Sequence, residues 1–484
     1  MSDIKKAVMT NWRWVMCAML FFATTVNYMD RQVLSLTFKE FIQPEFHWSD
    51  SDYGTITGVF SIAYAIFCLF AGKFIDWMGT KKGYLIAIIV WSIGAVMHAG
   101  CGWATEHIVG VADKAALLNA SGAIVSSISM VSVWLFLICR LILGLGEAGN
   151  FPAAIKVTAE YFPKKDRAFA TALFNAGASV GALAAPATIP LLAKSLGWEW
   201  AFIIIGALGF VWAGIWIFVY DKPTESKHVN EAELEYINQD EVATEAKGKK
   251  TEAKEEKQMS FIEAFRHRQT WSFALGKFMT DGVWWFFLFW APAYFQDQFG
   301  IKASDPQGIA LIFTLYAIVT VVSLFGGYLP KVFVEKRGME PYAGRMLAML
   351  IFAFFPIFAL FAQPLGGVYG PWAVAIIIGI VGAAHQSWSA NIFSTTGDMF
   401  PKSAVATITG IGAMAGGVGS FLINKGSGML FDHAAELGEA FRFMGFTGKP
   451  AGYMIIFCVC AVAYLIGWSV MKLLVPKYSP VVVK

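Results

Sequence analysis

Charged residues are scarce in this chain. They make up 15% of its 484 residues, against about 25% in ordinary soluble domains. That shortage leaves too little polar material to cover a water-facing globule of this length. Cysteine is scarcer still, with six in all. Cys17, Cys68, Cys139, Cys458 and Cys460 fall inside long apolar runs and Cys101 lies at the edge of one. Neither a disulfide framework nor a metal-ligand spacing is present, and no metal and no cofactor is expected. The chain lacks a His-Glu-x-x-His zinc pattern, which argues against an intramembrane metalloenzyme, and no enzymatic activity is expected. It also lacks a Gly-x-x-x-x-Gly-Lys-[Ser/Thr] phosphate loop, which removes a nucleotide-driven pump. A cleavable signal peptide is missing as well. Ser2-Asp-Ile-Lys-Lys leads directly into a full-length apolar run, which is expected to act as the insertion signal.

Apolar length is what the chain has in abundance: 57% of its residues are hydrophobic. Runs near 20 residues, as a hydrocarbon layer of about 30 Å requires, recur along nearly the whole sequence. The sequence predicts twelve spans, near 13–38, 52–76, 83–103, 129–155, 166–192, 200–220, 271–298, 306–333, 341–362, 371–396, 403–431 and 451–474. The predicted fold class is therefore an all-α membrane protein. The net charge of +3 is too small to say much about partners, but its distribution is informative. Lys5, Lys6 and Arg13 precede the first run, Lys81 and Lys82 follow the second, and Lys164, Lys165 and Arg167 follow the fourth. Lys336 and Arg337 follow the eighth, and Lys472 and Lys477 end the chain. The first loop on the other side holds Glu40, Glu45, Asp50 and Asp52 against Lys39. By the positive-inside rule both termini are expected to be cytoplasmic.

A break falls at 221–268, where Lys-Gly-Lys-Lys-Thr-Glu-Ala-Lys-Glu-Glu-Lys occupies 247–257. The stretch reads as a solvated cytoplasmic linker, partly helical at 230–240. Its acids cancel its bases, so a nucleic-acid partner is not expected. On either side the chain repeats: Phe162-Pro-Lys164 recurs as Phe400-Pro-Lys402, and at the same offset Gly181 meets Gly419 and Glu147 meets His385. A parallel repeat near half the chain length predicts two six-helix bundles, 1–220 and 269–484, related by an axis along the membrane normal.

Charges inside the runs stand out because they are costly at membrane depth and mark ion or substrate paths. Arg140 and Glu147 lie in one run, seven residues apart. That is nearly two turns, so both side chains share a face about 10 Å apart along the axis. Asp30-Arg31 forms a second intramembrane pair. A structural ion pair locking two helices is the alternative to a transport role.

Gly72-Lys-Phe-Ile-Asp76-Trp-Met-Gly79-Thr-Lys81-Lys82 resembles the loop signature of the major facilitator superfamily, with Trp77 and Thr80 in place of the usual bases. Arg140-x-x-x-Gly144-x-x-Glu147-Ala-x-x-Phe151-Pro152-Ala153 resembles the fourth-helix motif of its anion:cation symporter family. Lys277-Phe-Met-Thr-Asp281-Gly-Val-Trp284-Trp285, running on to Trp290 and Pro292, is similar to the seventh helix of bacterial hexuronate transporters. His385-Gln386-Ser-Trp388-Ser389-Ala-Asn391 is similar to their tenth. The resemblance covers all twelve spans and implies a major facilitator fold in the bacterial inner membrane, expected as a monomer among the lipids. It implies import of a hexuronate, glucuronate or galacturonate, by proton symport. Galactonate or another organic anion is the alternative.

A sugar acid brings a carboxylate and several hydroxyls. Arg31 is the expected carboxylate ligand because guanidinium offers a bidentate fork; the alternative is an internal pair with Asp30. Tyr28 and Tyr64 resemble substrate-facing tyrosines of galactonate-type relatives, and each could instead be packing. Asn175, Gln386, Ser389 and Asn391 are candidate hydrogen-bond partners for the hydroxyls. Trp388 could stack on a sugar ring or face lipid, and Trp284 could approach the site. His385 could bind substrate, take a proton or be a satisfied polar contact. Asp30 and Glu147 are the expected proton carriers. A buried carboxylate's hold on its proton depends on nearby guanidinium, so movement of Arg140 relative to Glu147 would capture or release a proton. Asp76 is expected to latch a gate, and Lys277 and Asp281, four residues apart, to form a gating ion pair.

Overall fold

The computed structural model describes residues 9–239 and 259–481. Lys5, Lys6 and the linker run at 247–257 lie outside them. The long helices, in chain order, are α1 (Trp12–Thr37), α2 (Asp50–Met78), α3 (Thr80–Met97), α4 (Ala123–Glu147), α5 (Asn150–Tyr161), α6 (Lys164–Leu196) and α7 (Trp198–Val219). After a short α8 (Glu231–Ile237) come α9 (Arg268–Phe299), α10 (Pro306–Arg337), α11 (Pro341–Phe354), α12 (Pro371–Met399), α13 (Lys402–Leu437) and α14 (Lys449–Leu474). Among the described residues, ten helical stretches are long and apolar enough to cross a membrane. Length does not set α1 and α9 apart from the ten: they have 26 and 32 residues, but α1 carries Asp30 and Arg31 and α9 carries Lys277 and Asp281. Among the described residues the strands are confined to one hairpin of two-residue strands, Arg442–Phe443 with Phe446–Thr447.

Local chemistry explains where several helices begin and break. α2 opens on a capping box, in which Ser49 accepts from the Asp52 N–H while the Asp52 carboxylate accepts from the Ser49 N–H. α10, α11 and α12 begin on prolines, where the missing N–H costs nothing. Between α4 and α5 the helix is interrupted at Ala148 and Gly149. Pro152 cannot donate to the Ala148 carbonyl and its ring crowds it, so the break falls immediately after Glu147.

Small residues set the helix contacts, as they do in membranes. α1 packs on α6 and α9 packs on α13. The repeat-related glycines serve these two contacts: a methyl at Gly181 would sit 2.3 Å from the Thr25 carbonyl oxygen, and one at Gly419 would sit 2.1 Å from that of Phe278. Gly177-Ala-Ser179-Val-Gly181 spells the letters of a hydrolase nucleophile elbow. It lies in mid-helix with Gly177 and Gly181 against α1, not at the strand-to-helix turn that the chemistry needs.

The two halves of the sequence meet along α2 and α13. A methyl at Gly54 would sit 2.4 Å from the Asn424 carbonyl oxygen, and one at Gly428 would sit 2.3 Å from that of Asp50. At this end of the molecule four charged side chains form a closed ring. Lys39 Nζ lies 2.9 Å from Asp50 Oδ1 and 3.1 Å from Asp297 Oδ1, and Lys449 Nζ pairs with Asp50 and lies 2.7 Å from Asp297 Oδ2. Asp432 of α13 accepts from the Asp50 and Ser51 N–H groups at 2.8 and 2.7 Å, capping α2 from the other half. Tyr53 donates to the Phe289 carbonyl at 2.7 Å. The opposite end differs. Lys156–Asp76 lies in the first half, Lys81–Asp221 ties the first half to the start of the linker, and Arg345–Asp398 lies in the second half. Among the described residues no ion pair joins the halves there.

The linker departs from the expectation of a wholly solvated stretch. Glu233, on α8, is fully buried. Its carboxylate accepts from the Trp12 and Arg13 N–H groups at 2.9 and 3.1 Å, from the Thr10 hydroxyl, and pairs with the Arg13 guanidinium at 3.0 Å. No side chain of its own segment caps the start of α1, so Glu233 supplies that cap from 220 residues away. Tyr236 adds to the clip, lying 4.7 Å from Arg13 and donating to Asp166 at 2.7 Å. Burial works against the ionised Glu233, but the hydrogen bonds from Thr10, Arg13 and Trp12 and the Arg13 charge outweigh it and hold the carboxyl below its ordinary range.

Glu233→Ala strips the α1 amides and Arg13 of their acceptor, and buried groups left unsatisfied cost about 1–3 kcal/mol. The expected outcome is a lower apparent melting temperature in detergent. Because the folded carboxyl titrates lower than the unfolded one, its contribution is full above pH 4.5 and is lost as pH falls below it. The difference in melting temperature between wild type and Glu233→Gln should therefore narrow in acid.

Candidate functional site

α1 presents Tyr28, Asp30 and Arg31 to three different neighbours. Arg31 Nε donates to Glu147 Oε2 at 2.7 Å, with the two side chains 6% and 0% exposed. The guanidinium carbon lies 4.4 Å from the ring centre of Tyr64, 5.2 Å from Tyr28 and 5.8 Å from Trp285. Two helices of the first half and one of the second thus form an aromatic cup around one cation, a favourable arrangement for a desolvated guanidinium. Arg31 Nη2 and Glu147 Oε1 make no further hydrogen bond.

Asp30 turns away from Arg31, as adjacent helical residues must. It accepts a hydrogen bond from the Trp91 indole N–H on α3, and its second oxygen has no partner. The Trp91 mounting is tight: a methyl at Gly146 would sit 2.3 Å from the Trp91 backbone nitrogen. Trp91 therefore rests against the turn that carries Glu147 while its side chain holds Asp30. One tryptophan in an apolar run gives no sequence sign of this.

The structure brings Glu147 to Arg31 and not to Arg140. Seven residues separate Arg140 and Glu147 by about 10 Å along the axis, too far for an ion pair, so each meets what lies at its own depth. Arg140 is buried, lies 5.5 Å from the Phe60 ring, and has no hydrogen-bond partner at Nε or Nη2. A buried guanidinium with open donors is a receptor for an anion or for water.

The second half contributes a separate polar chain. On α9, Lys277 Nζ lies 2.7 Å from Asp281 Oδ2, the expected pair at four residues' spacing. Trp284 stacks on His385 of α12 at 5.5 Å and 3°. His385 Nδ1 lies 2.6 Å from the hydroxyl of Tyr464 on α14, a residue the sequence reading passes over. Gln386 and Ser389 are half-buried on α12 and make no hydrogen bond among the described residues.

Four sequence candidates take no part in Arg31's cup or in the hydrogen bond of His385 among the described residues. Trp388 is fully buried, edge-on to Tyr464 at 5.5 Å. It does not face lipid, because α14 covers it. Asn391 spends its amide donors on the Ser387 and Gly326 carbonyls at 2.8 and 3.2 Å, tying α12 to α10. It borders a cleft of about 350 Å³ beside Lys331 and Arg345, away from Arg31's cup. Asn175 is exposed on α6, which turns Gly177 toward α1 instead. Asp76 is also exposed, and its partner Lys156 belongs to its own half.

The model of the Major Facilitator Superfamily matches residues 20–423. The chain is 28% identical over 466 residues to the hexuronate transporter of Escherichia coli K12, covering 95% of this chain and 94% of that one. It is 28% identical over 356 residues to the galacturonate transporter of Dickeya chrysanthemi, covering 73% and 92%. Among solved structures, a bacterial homolog of the human lysosomal transporter Spinster superposes with a TM-score of 0.66 at 19% identity, covering 97% and 98%. A D-xylose-proton symporter superposes with a TM-score of 0.66 at 15% identity over the same shares. A family match over most of the chain, relatives aligned nearly end to end and a shared helical fold agree: the chain belongs to the Major Facilitator Superfamily, and is a multi-pass transporter of the bacterial inner membrane, not an enzyme.

Proposed function

We propose that this protein imports a sugar acid, a hexuronate in the first instance, by proton symport through alternating access. The observation that carries the reading is the Arg31–Glu147 pair, buried in an aromatic cup with Asp30 one residue away. The names of its relatives support the substrate class: hexuronate and galacturonate first, with galactonate next. Twelve spans arranged as bundles 1–220 and 269–484, with both termini cytoplasmic, complete the proposed topology. α1 and α9 then cross the membrane along with the ten more apolar helices. In this orientation the Lys39–Asp50–Asp297–Lys449 ring closes the outer end, and the structure is an outward-closed state.

The chemistry follows from competition for one cation. Arg31 donates to Glu147, so a substrate carboxylate must displace that oxygen or find it protonated. A proton on Glu147 removes its charge and frees Arg31's fork for the substrate, while Tyr28 and Tyr64 keep the guanidinium in place. Arg140, with open donors, stabilises whichever of Asp30 and Glu147 is ionised. Gln386, Ser389 and His385 are the proposed contacts for hydroxyls on the second half, with Trp284 backing the imidazole. Trp388 and Asn391 are assigned to holding α12 in register, and Lys277–Asp281 with Asp76 to gating. Rocking of the halves about Arg31's cup then moves the carboxylate from one side to the other, with proton release to the cytoplasm.

Uptake of labelled glucuronate and galacturonate into proteoliposomes, with and without an inward proton gradient, tests the reading. Glu147→Gln should lower gradient-driven accumulation at least about ten-fold while substrate exchange across the membrane survives. Unchanged accumulation in Glu147→Gln would remove Glu147 from coupling, and no uptake of either hexuronate by the folded wild type would sink the substrate. Trp91→Phe keeps a ring in the α3 seat and deletes the only donor to Asp30 among the described residues. Accumulation should fall with little change in exchange KM if Asp30 carries a proton; a rise in KM with accumulation intact would place Asp30 in substrate binding instead.

A further inference from the structure

His385 is held between two aromatic residues. Its ring lies flat against Trp284 at 5.5 Å, and Trp284 in turn rests on Gly382, where a methyl would sit 3.1 Å from the indole. Its Nδ1 lies 2.6 Å from the Tyr464 hydroxyl. That hydroxyl also reaches the Thr280 carbonyl oxygen at 3.3 Å, and the Tyr464 ring is braced edge-on by Trp388 at 5.5 Å. Three helices, α9, α12 and α14, therefore converge on one imidazole. Nε2 is the ring nitrogen left without a protein partner among the described residues.

A phenol has one proton to give. With the Tyr464 proton directed to the Thr280 carbonyl, which can only accept, the phenol oxygen accepts from Nδ1–H. A neutral imidazole protonated at Nδ1 has its lone pair at Nε2. We propose that Tyr464 is a positioning residue that fixes this tautomer, so that Nε2 accepts a hydrogen bond from a substrate hydroxyl and selects for ligands that carry one there. The proposal rests on the sugar-acid reading for the identity of the ligand, but the tautomer itself does not. Lys277 and Asp281, paired at 2.7 Å one turn before Trp284, are the nearby charges and neutralise each other. The arrangement also gives α14, the last long helix, a part in recognition that no polar motif in its sequence announces.

The test has two arms on the full-length protein. In the first, ring-¹⁵N-histidine spectra are recorded in detergent, with the His385 signals assigned by their loss in His385→Asn. Wild type should show the Nδ1-protonated form, and Tyr464→Phe should abolish that preference. An Nε2-protonated wild type, or a tautomer unmoved by Tyr464→Phe, overturns the proposal whatever the protein transports. In the second arm, inhibition of exchange is compared for a hexuronate and for analogues with single hydroxyls replaced by hydrogen. Wild type should prefer the hydroxylated ligand at one position by about ten-fold, the worth of one such hydrogen bond. Tyr464→Phe should lose that preference, with maximal exchange rate retained. In a His385→Asn background the further change Tyr464→Phe should leave discrimination where it was, because both substitutions then act on the same contact. Additive losses across that cycle would make Tyr464 a packing residue and overturn the proposal. Failure of every sugar acid to compete, with the tautomer as expected, would count against the substrate reading alone.

Discussion

One ion pair governs this molecule. Arg31 and Glu147 are out of water, 2.7 Å apart, at a depth where an isolated charge is hard to maintain. Burial of such a pair is close to neutral only when geometry is good and the remaining polar atoms are matched; removing one partner strands the other. Here the remaining atoms are not matched, since Arg31 Nη2 and Glu147 Oε1 are both open. A pair serving stability alone would gain from closing those gaps. A pair that must exchange its carboxylate for another needs them. The aromatic rings of Tyr28, Tyr64 and Trp285 suit that task, because their faces attract a guanidinium without bringing a second formal charge to it.

The contacts that join the halves are made by other residues. The halves close at one end through short, charged contacts between four helix ends, and along α2 and α13 through backbone contact at glycines. Each cation of the ring touches both acids, so opening breaks both cross-half pairs, Lys39–Asp297 and Lys449–Asp50, while Lys39–Asp50 and Lys449–Asp297 persist within their own halves. That favours two discrete arrangements over a continuum. Asp432 raises the cost of opening further, because the amides of Asp50 and Ser51 at the start of α2 lose their acceptor when the halves part. At the other end each half keeps its ion pairs to itself, and Glu233 clips the start of α1 to the linker within the first half. The helix that carries Asp30 and Arg31 is thus anchored at its base while its far end takes part in the ring through Lys39.

The elements legible in the sequence are those with local causes. Apolar runs of span length mark the helices, prolines mark the starts of α10, α11 and α12, and Pro152 ends the turn at Glu147. The seven-residue spacing of Arg140 and Glu147 shows that both belong to one face. It could not show that Glu147 would take Arg31, which is 116 residues away, because that choice depends on the depth at which two helices cross. Glu233 was misread for a related reason: a run of Glu and Lys normally faces water, and only the position of α1's open amides makes one of those glutamates a cap. Asn391 and Trp388 share a motif with His385 and Gln386, but the helical rotation sends them to different neighbours. Tyr464 and Trp91 had no local signal at all, since an aromatic residue in an apolar run is usually packing.

The charge count of the first half's site constrains any transport cycle. Asp30 and Glu147 carry two negative charges and Arg31 and Arg140 two positive ones, so the ionised site is neutral. A sugar-acid carboxylate brings a further negative charge into a low-dielectric interior, where an unbalanced charge is expensive. The least costly compensation is a proton on one of the two carboxylates already present. Glu147 is the one whose protonation also releases Arg31. In the proposed cycle the step that restores neutrality also opens the binding fork, which gives the coupling of substrate and proton an electrostatic reason. Once the substrate leaves, the protonated site holds one surplus positive charge, and loss of the proton lets Glu147 return to Arg31. The empty carrier is thereby reset with its charges paired, which is the condition for moving it back across the membrane at low cost.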